Sequence, residues 1–378
     1  MCAPTLDEAW LESRVWPRFS RVLSREGIYL ANHSLGRPPD RVADDVRAAL
    51  DAWYRDMEGA WDLWVEGREK FRTLVAGLVC ANRADCIVPK TSAGQGLRAV
   101  LNSFVSKPRV LTSDAEFDSL DFILRVYRDN GRIDLKLLPF DRFKLEPADL
   151  VVISTVAFRT GKVFPNVEQL IRDAHAGKAK VLLDVYHHAG ALPLDLEALD
   201  ADFAVGGSYK YLRGGPGACW LYVHPRHHGL RTLDTGWFAK QDVFAYQRPD
   251  PPQFAAGGDA WLESTPPVLA PFQALAGLEI TLELGVERIR EYSLQQKKLL
   301  KSLLPFDAKG EGDDHGAFLT VVHPEAIRLA EQLNSAGVKT DARGEYLRFC
   351  PDYLNSRQEL ERAAAISGAL LQASTARQ

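Results

Sequence analysis

Val181-Leu182-Leu183-Asp184-Val185-Tyr186-His187-His188-Ala189-Gly190 is the stretch on which the reading of this chain turns. Its opening apolar run suits a strand buried on both faces, as in a parallel sheet, and Asp184 closes that run. A carboxylate at a strand end can simply cap a helix. Here Tyr186, His187 and His188 crowd in behind it, and so many polar groups at one strand end point to a site. Working outward, further strands are expected at 109–111, 135–139, 150–154, 203–205 and 218–223, with helices beginning near Ala93, Ser119 and Val167. Asn166 with Gln169 three residues later has the form of a capping box for the last of these. Strands alternating with helices predict an α/β fold with a mainly parallel sheet, whose ligands bind beyond the carboxyl ends of the strands.

The next strand leads into Gly206-Gly207-Ser208-Tyr209-Lys210-Tyr211-Leu212-Arg213-Gly214-Gly215-Pro216-Gly217. A lone lysine is usually a solvated surface residue. Lys210 sits between two tyrosines, after a buried strand and before a glycine-rich turn, which suits an amine made nucleophilic by desolvation. Thr91-Ser92-Ala93-Gly94-Gln95-Gly96 precedes a helix. It reads equally as an ordinary cap or as a phosphate-binding helix start. Arg348, near the end of a short strand, either forms a surface ion pair or clamps a carboxylate with its planar fork.

Bulk properties exclude other classes. A net charge of −4 offers nothing to a polyanion, so no nucleic-acid partner is expected. No apolar run approaches the ~18 residues of a membrane span. The opening Met1-Cys2-Ala3-Pro4-Thr5-Leu6-Asp7-Glu8 lacks the basic and apolar regions of a signal peptide, so a cytoplasmic protein is expected. Cys2, Cys80, Cys86, Cys219 and Cys350 form no C-x-x-C pair, so neither a disulfide framework nor a metal site is expected. No strand-linked G-x-G-x-x-G or P-loop pattern occurs, which weakens nucleotide readings. Helical spacing over 40–81 and a long helical stretch from Pro266-Pro267 through Leu303 flank the alternating core. Strand-like 317–322 and 346–349 alternate with helix-like 324–336 and 356–371, a smaller α+β unit.

Together these residues resemble the kynureninase branch of the class V enzymes of pyridoxal-phosphate fold type I. Gly27-Ile28-Tyr29-Leu30-Ala31-Asn32-His33-Ser34-Leu35-Gly36 is similar to the family's N-terminal segment. Asp184 and His187 match its D-x-x-H, Ser208–Leu212 its lysine motif, and Gly236-Trp237-Phe238 its GWF. Ser264-Thr265-Pro266-Pro267 resembles its S-N-P-P.

The resemblance implies a large domain with a mainly parallel mixed sheet between helices, plus a smaller α+β C-terminal domain. Residues 1–45 would be an arm reaching the site and the small domain, 46–265 the cofactor-binding domain, and 266–378 a linking helix and the small domain. The implied cofactor is pyridoxal phosphate, held by Lys210 as a Schiff base, with Asp184 on its pyridine nitrogen. His187 and Phe117 would support the ring, and Thr91, Ser92, Ser154, Tyr209, Trp237 and Thr265 would complete the cofactor's contacts. Thr265 would come from a second subunit, giving a homodimer with shared sites. Arg348 and His33 would meet an amino-acid substrate, and the implied reaction hydrolyses the Cβ–Cγ bond of kynurenine or a related aryl or acyl amino acid.

Transamination, β-elimination or epimerisation of another amino acid are the alternatives, as is a non-catalytic relative that keeps the cofactor structurally. A desulfurase needs a mobile thiol, and Cys350, two residues from Arg348, reads instead as an inert core cysteine. The chain also departs from the family. Phe117-Asp118-Ser119-Leu120-Asp121 shifts an expected acid by one, and Ala157 replaces a polar residue. His33, Arg213 and Thr265 each stand where an asparagine is expected.

Overall fold

The computed structural model describes residues 5–375; Met1, Cys2, Ala3 and Pro4 of the opening segment lie outside them. In chain order the elements are α1 (Glu8–Arg14), α2 (Ser20–Leu23), β1 (Ile28–Tyr29), α3 (Arg41–Arg55), α4 (Ala60–Leu78), β2 (Ile87–Lys90), α5 (Ala93–Leu101), β3 (Arg109–Ser113) and α6 (Asp118–Asp129). There follow β4 (Asp134–Leu138), β5 (Leu150–Ser154), α7 (Val167–Ala176), β6 (Lys180–Asp184), β7 (Phe203–Gly207), β8 (Cys219–Val223), α8 (Ala270–Leu284) and α9 (Val286–Leu303). The chain ends with β9 (Leu319–Val322), α10 (Ala326–Ser335), β10 (Val338–Lys339), β11 (Asp341–Arg343), β12 (Tyr346–Phe349) and α11 (Arg357–Thr375).

Seven strands form one sheet in the order β2-β8-β7-β6-β5-β3-β4. Only β8 runs against its neighbours, so the sheet is mixed and mainly parallel, as expected. The middle strands β5, β6 and β7 are buried at nearly every position because helices cover both faces. One face carries Val151, Ile153, Val181, Leu183 and Ala204 against α4 and α8; the other carries Val152, Leu182, Phe203 and Val205 against α5 and α6. A second sheet, β11-β12-β9, packs on α10 and α11 around Leu319, Val321, Leu347 and Phe349.

Two expectations need correction, and one strand was absent from them. Asn166 does not cap α7: it sits in the left-handed region at φ 53° without a side-chain cap bond, and Gln169 reaches forward to Asp173 at 2.8 Å. The long helix after Pro266-Pro267 is two, α8 and α9, because Gly285 at φ +79° is outside the helical region. Strand β2 was not foreseen. It is four residues long and contains Pro89, which the sheet tolerates because β2 is an edge strand.

The segment before α3 fastens the site. Ile28–Tyr29 pairs in parallel with β10, and Ile28 packs in the small sheet's core. Gly36 then passes directly over the backbone of the lysine loop, donating its N–H to the Tyr209 carbonyl at 2.8 Å. A methyl group on Gly36 would stand 1.9 Å from the Lys210 carbonyl oxygen, so only glycine fits this crossing. Replacing Gly36 with alanine is therefore expected to destabilise the protein by about 1–3 kcal/mol, the usual cost of overpacking. The check is a urea midpoint for Gly36→Ala, and an unchanged midpoint would mean that this crossing is not tight.

Candidate active site

Parallel strands bring their carboxyl ends to one edge. Ser113, Ser154, Asp184 and Gly207 end β3, β5, β6 and β7, and Ser154 sits beside Asp184 in register. Beyond that edge lies a cavity of about 300 Å³. Thr91, Ser92, Phe117, Ser154, Asp184, His187, Tyr209 and Lys210, expected far apart in sequence to act together, all line it.

Lys210 is buried, with Nζ 2.6 Å from Nε2 of His187, whose Nδ1 is 3.2 Å from the Tyr211 hydroxyl. The rings of Tyr186, Phe117 and Tyr209 surround Nζ at 5.0, 5.3 and 5.5 Å. Burial pushes the Lys210 amine well below the usual lysine range; Asp184 opposes this and Arg348 adds to it. Burial, then the charges of Lys210 and Arg348, hold His187 well below the usual histidine range, so it is a neutral neighbour for the amine. An amine so placed is unprotonated far more often than a surface lysine and can add to an aldehyde.

Asp184 is raised above the usual carboxylate range by burial, against the pull of the Tyr186 N–H and Lys210. Oδ1 accepts that N–H at 2.8 Å; among the described residues Oδ2 has no partner, and the carboxylate borders the cavity. A second buried acid, Glu116, was missed in the sequence. It accepts from Ser113 Oγ at 2.6 Å and from Ser154 N and Oγ at 3.1 and 2.6 Å, joining the ends of β3 and β5. Burial pushes it up to about 7 despite those donors. A glutamate just past a strand looks like a surface residue, and the two serines that reveal it are forty-one residues apart in the chain. At the start of α6, Asp118 is exposed, and the shifted acid Asp121 is half-buried and paired with Arg125.

The remaining candidates stand apart from this cavity. Arg348 is buried with its fork on a single carboxylate: Nε and Nη2 donate to Asp341 at 2.8 and 2.6 Å, and Nη1 donates to the Phe158 carbonyl. His33 Nε2 donates to the same carboxylate at 2.7 Å, and Ser34 Oγ donates to it as well. Burial and Arg348 lower His33 to about 4, so its ring is neutral. Trp237 donates Nε1–H to Thr265 Oγ1 at 3.0 Å. Thr265 lines an adjoining cavity of about 190 Å³ with Trp61, Phe238 and Pro267, and Thr91 borders both cavities. Arg213 at φ 59° donates to Tyr353 OH at 2.6 Å and to Asp352, which Arg37 also holds at 2.6 Å. Ala157 is buried in the main core rather than at the cavity.

The cavity residues suit pyridoxal phosphate by their own chemistry. There is an aldehyde-reactive amine, a carboxylate with a free oxygen, and an aromatic ring over the amine. Ser92 stands at the start of α5, and the Tyr209 hydroxyl has no partner among the described residues. Comparison with known proteins agrees. The profile of the family described as Aminotransferase class-V matches residues 28–306. A kynureninase of Bacillus mycoides is 27% identical over 86% of this chain and 83% of its own length. A C-DES mutant with glycine covalently linked to the PLP cofactor superposes with a TM-score of 0.82 at 18% identity, covering 93% of this chain and 98% of that one. The cysteine desulfurase CsdA of Escherichia coli gives 0.78 at 17% identity, covering 98% and 99%. The two structures share the fold.

The lowered amine generates a direct expectation. Reduction with borohydride in the presence of pyridoxal phosphate should place the pyridoxyl group on the Lys210 peptide, and should still do so at a pH where exposed lysines no longer react. Peptide mapping reads the result; a label spread over exposed lysines would remove Lys210 from the site.

Proposed function

The chain belongs to the class-V aminotransferase family, whose cofactor is pyridoxal phosphate, and from that premise we propose a kynureninase-like hydrolase. Its reaction would add water across the Cβ–Cγ bond of kynurenine or a related aryl or acyl amino acid, giving the aryl or acyl acid and alanine. Support comes from the kynureninase relatives, which match this chain over most of its length and on both sides of the lysine loop.

One observation favours this reading over sulphur removal. Cys219, which lines the cavity, and Cys350, two residues from Arg348, are both held in hydrogen bonds and both pushed up by burial. Cys219 lies in β8 with Sγ 3.2 Å from the Tyr186 hydroxyl, and Cys350 is buried with Sγ 3.3 Å from the Ala317 carbonyl. A nucleophilic thiol needs to be ionised and free to move, and neither is.

The residues would divide the work as follows. Lys210 binds the cofactor covalently and carries the proton to and from Cα. Asp184 would hold the ring nitrogen with its free oxygen and favour its protonated form. Phe117 and His187 flank the ring, and Thr91, Ser92, Ser154 and Tyr209 supply hydrogen bonds. When bound, pyridoxal phosphate supplies an electron sink for the pair left at Cα. Thr265, which lines the adjoining cavity and accepts from Trp237, would serve the phosphate of a second subunit in a cytoplasmic homodimer, and Trp237 would add a phosphate contact. Arg348 would receive the α-carboxylate, for which it has to share or exchange the fork now on Asp341, and His33 would sense that exchange.

Purified protein given L-kynurenine and its 3-hydroxy form should release alanine and the matching aromatic acid in equal amounts, read by mass spectrometry. Release of keto acid or transfer of the amino group would move the chain to the lyase or aminotransferase alternative. Absence of alanine from any aryl or acyl amino acid would overturn the hydrolase reading.

A further inference from the structure

Arg98 lies on the second turn of α5, half-buried in the wall of the Lys210 cavity. Among the described residues its guanidinium has neither a hydrogen bond nor an ion pair. The other arginines near the site are engaged. Arg348 is held by Asp341 and Arg213 by Asp352, while Arg343 lies 3.5 Å from Asp341. Nearby carboxylates are committed elsewhere: Glu263 takes Lys90 Nζ at 2.7 Å and Gln95 Nε2 at 3.0 Å. A guanidinium carries five N–H donors in a planar fork, and those of Arg98, committed to no side chain among the described residues, are open to a ligand in the cavity.

The surroundings show what kind of ligand that is. A methyl group built on Gly94 would lie 3.7 Å from Nη1 of Arg98 and 3.8 Å from Oγ of Ser92, so the two donors flank one spot. The same point is 2.7 Å from Cδ1 of Ile123, which closes the spot on its apolar side. Ser119 lines the cavity from the start of α6. Donors face the spot, and among the described residues no acid lines the cavity except Asp184. With Asp184 matched to the ring nitrogen, Arg98 is the cavity's uncompensated positive charge.

We propose that Arg98 receives an oxyanion in this cavity, a role that rests on the reading of Lys210 as the cofactor's anchor. Two groups have the required chemistry: the phosphate ester of the cofactor, and an acidic group at the far end of a substrate side chain. Both present paired oxygens to the fork.

The test uses the full chain with Arg98→Met and Arg98→Lys. Cofactor-free protein is titrated with pyridoxal phosphate and with pyridoxal, following absorbance; the loaded protein is then titrated with L-glutamate and L-glutamine, whose side chains match in length and differ in charge. Arg98→Met should reduce one of two ratios about tenfold or more, with Arg98→Lys between it and wild type. A fall in phosphate-over-pyridoxal preference assigns the cofactor's phosphate, and a fall in acid-over-amide preference assigns the substrate's distal acid. If both ratios stay within about twofold of wild type, against that same expected loss, the proposal is overturned. Failure of the underlying reading looks different: wild-type protein would then show no absorbance change that depends on Lys210.

Discussion

A carboxylate buried at the end of a central strand has to be answered by a partner charge, a proton or a set of N–H donors. Asp184 meets that constraint only in part. One oxygen takes the Tyr186 N–H, and its other oxygen is left for the cavity with the Lys210 amine nearby. The lysine is lowered and the aspartate raised by the same burial, so each is biased towards its neutral form. Opposed displacement of an acid and an amine in one cleft is the arrangement that proton movement between cofactor and substrate requires.

The scaffold that keeps these groups in place is assembled from distant parts of the chain. The arm at Gly36 presses on the lysine loop, Arg213 anchors that loop to Asp352, and Arg37 ties Asp352 back to the arm. Asp341 does the same for Arg348, His33 and Ser34. Burial works against ionisation of Asp341, yet the His33 and Arg348 contacts hold it far below the usual carboxylate range. These two carboxylates couple the small sheet to the arm, and the second of them competes with any ligand for the Arg348 fork. Removing one member of such a buried network leaves the others uncompensated, so its parts act as a unit.

Much of this was legible in the sequence because it is periodic or local. Apolar runs ending in Asp184 and Ser154 located two strand ends, and the glycines and tyrosines around Lys210 marked the loop. What escaped depends on three-dimensional pairing. Glu116 joins the ends of β3 and β5 only because Ser113 and Ser154 converge on it. Arg98 looks like an ordinary helical arginine until its lack of a partner is seen. The ion pair of Arg348 stayed an open alternative because nothing in the spacing of Asp341 shows that β11 pairs with β12 and sets Asp341 opposite Arg348. Asn166 had a cap's sequence, but its left-handed backbone turned the side chain away from that use.

The central claim is that Asp184 controls proton exchange at the α-carbon of an amino acid that takes the place of Lys210 on the cofactor. The direct measurement is deuterium uptake from heavy water into the Cα position of L-alanine, comparing wild-type protein with Asp184→Asn at equal cofactor loading. The account predicts exchange in the wild type and a fall of about a hundredfold or more in the variant, since a general acid–base system that loses its electron sink loses at least that much. Exchange in Asp184→Asn at close to the wild-type rate would contradict it.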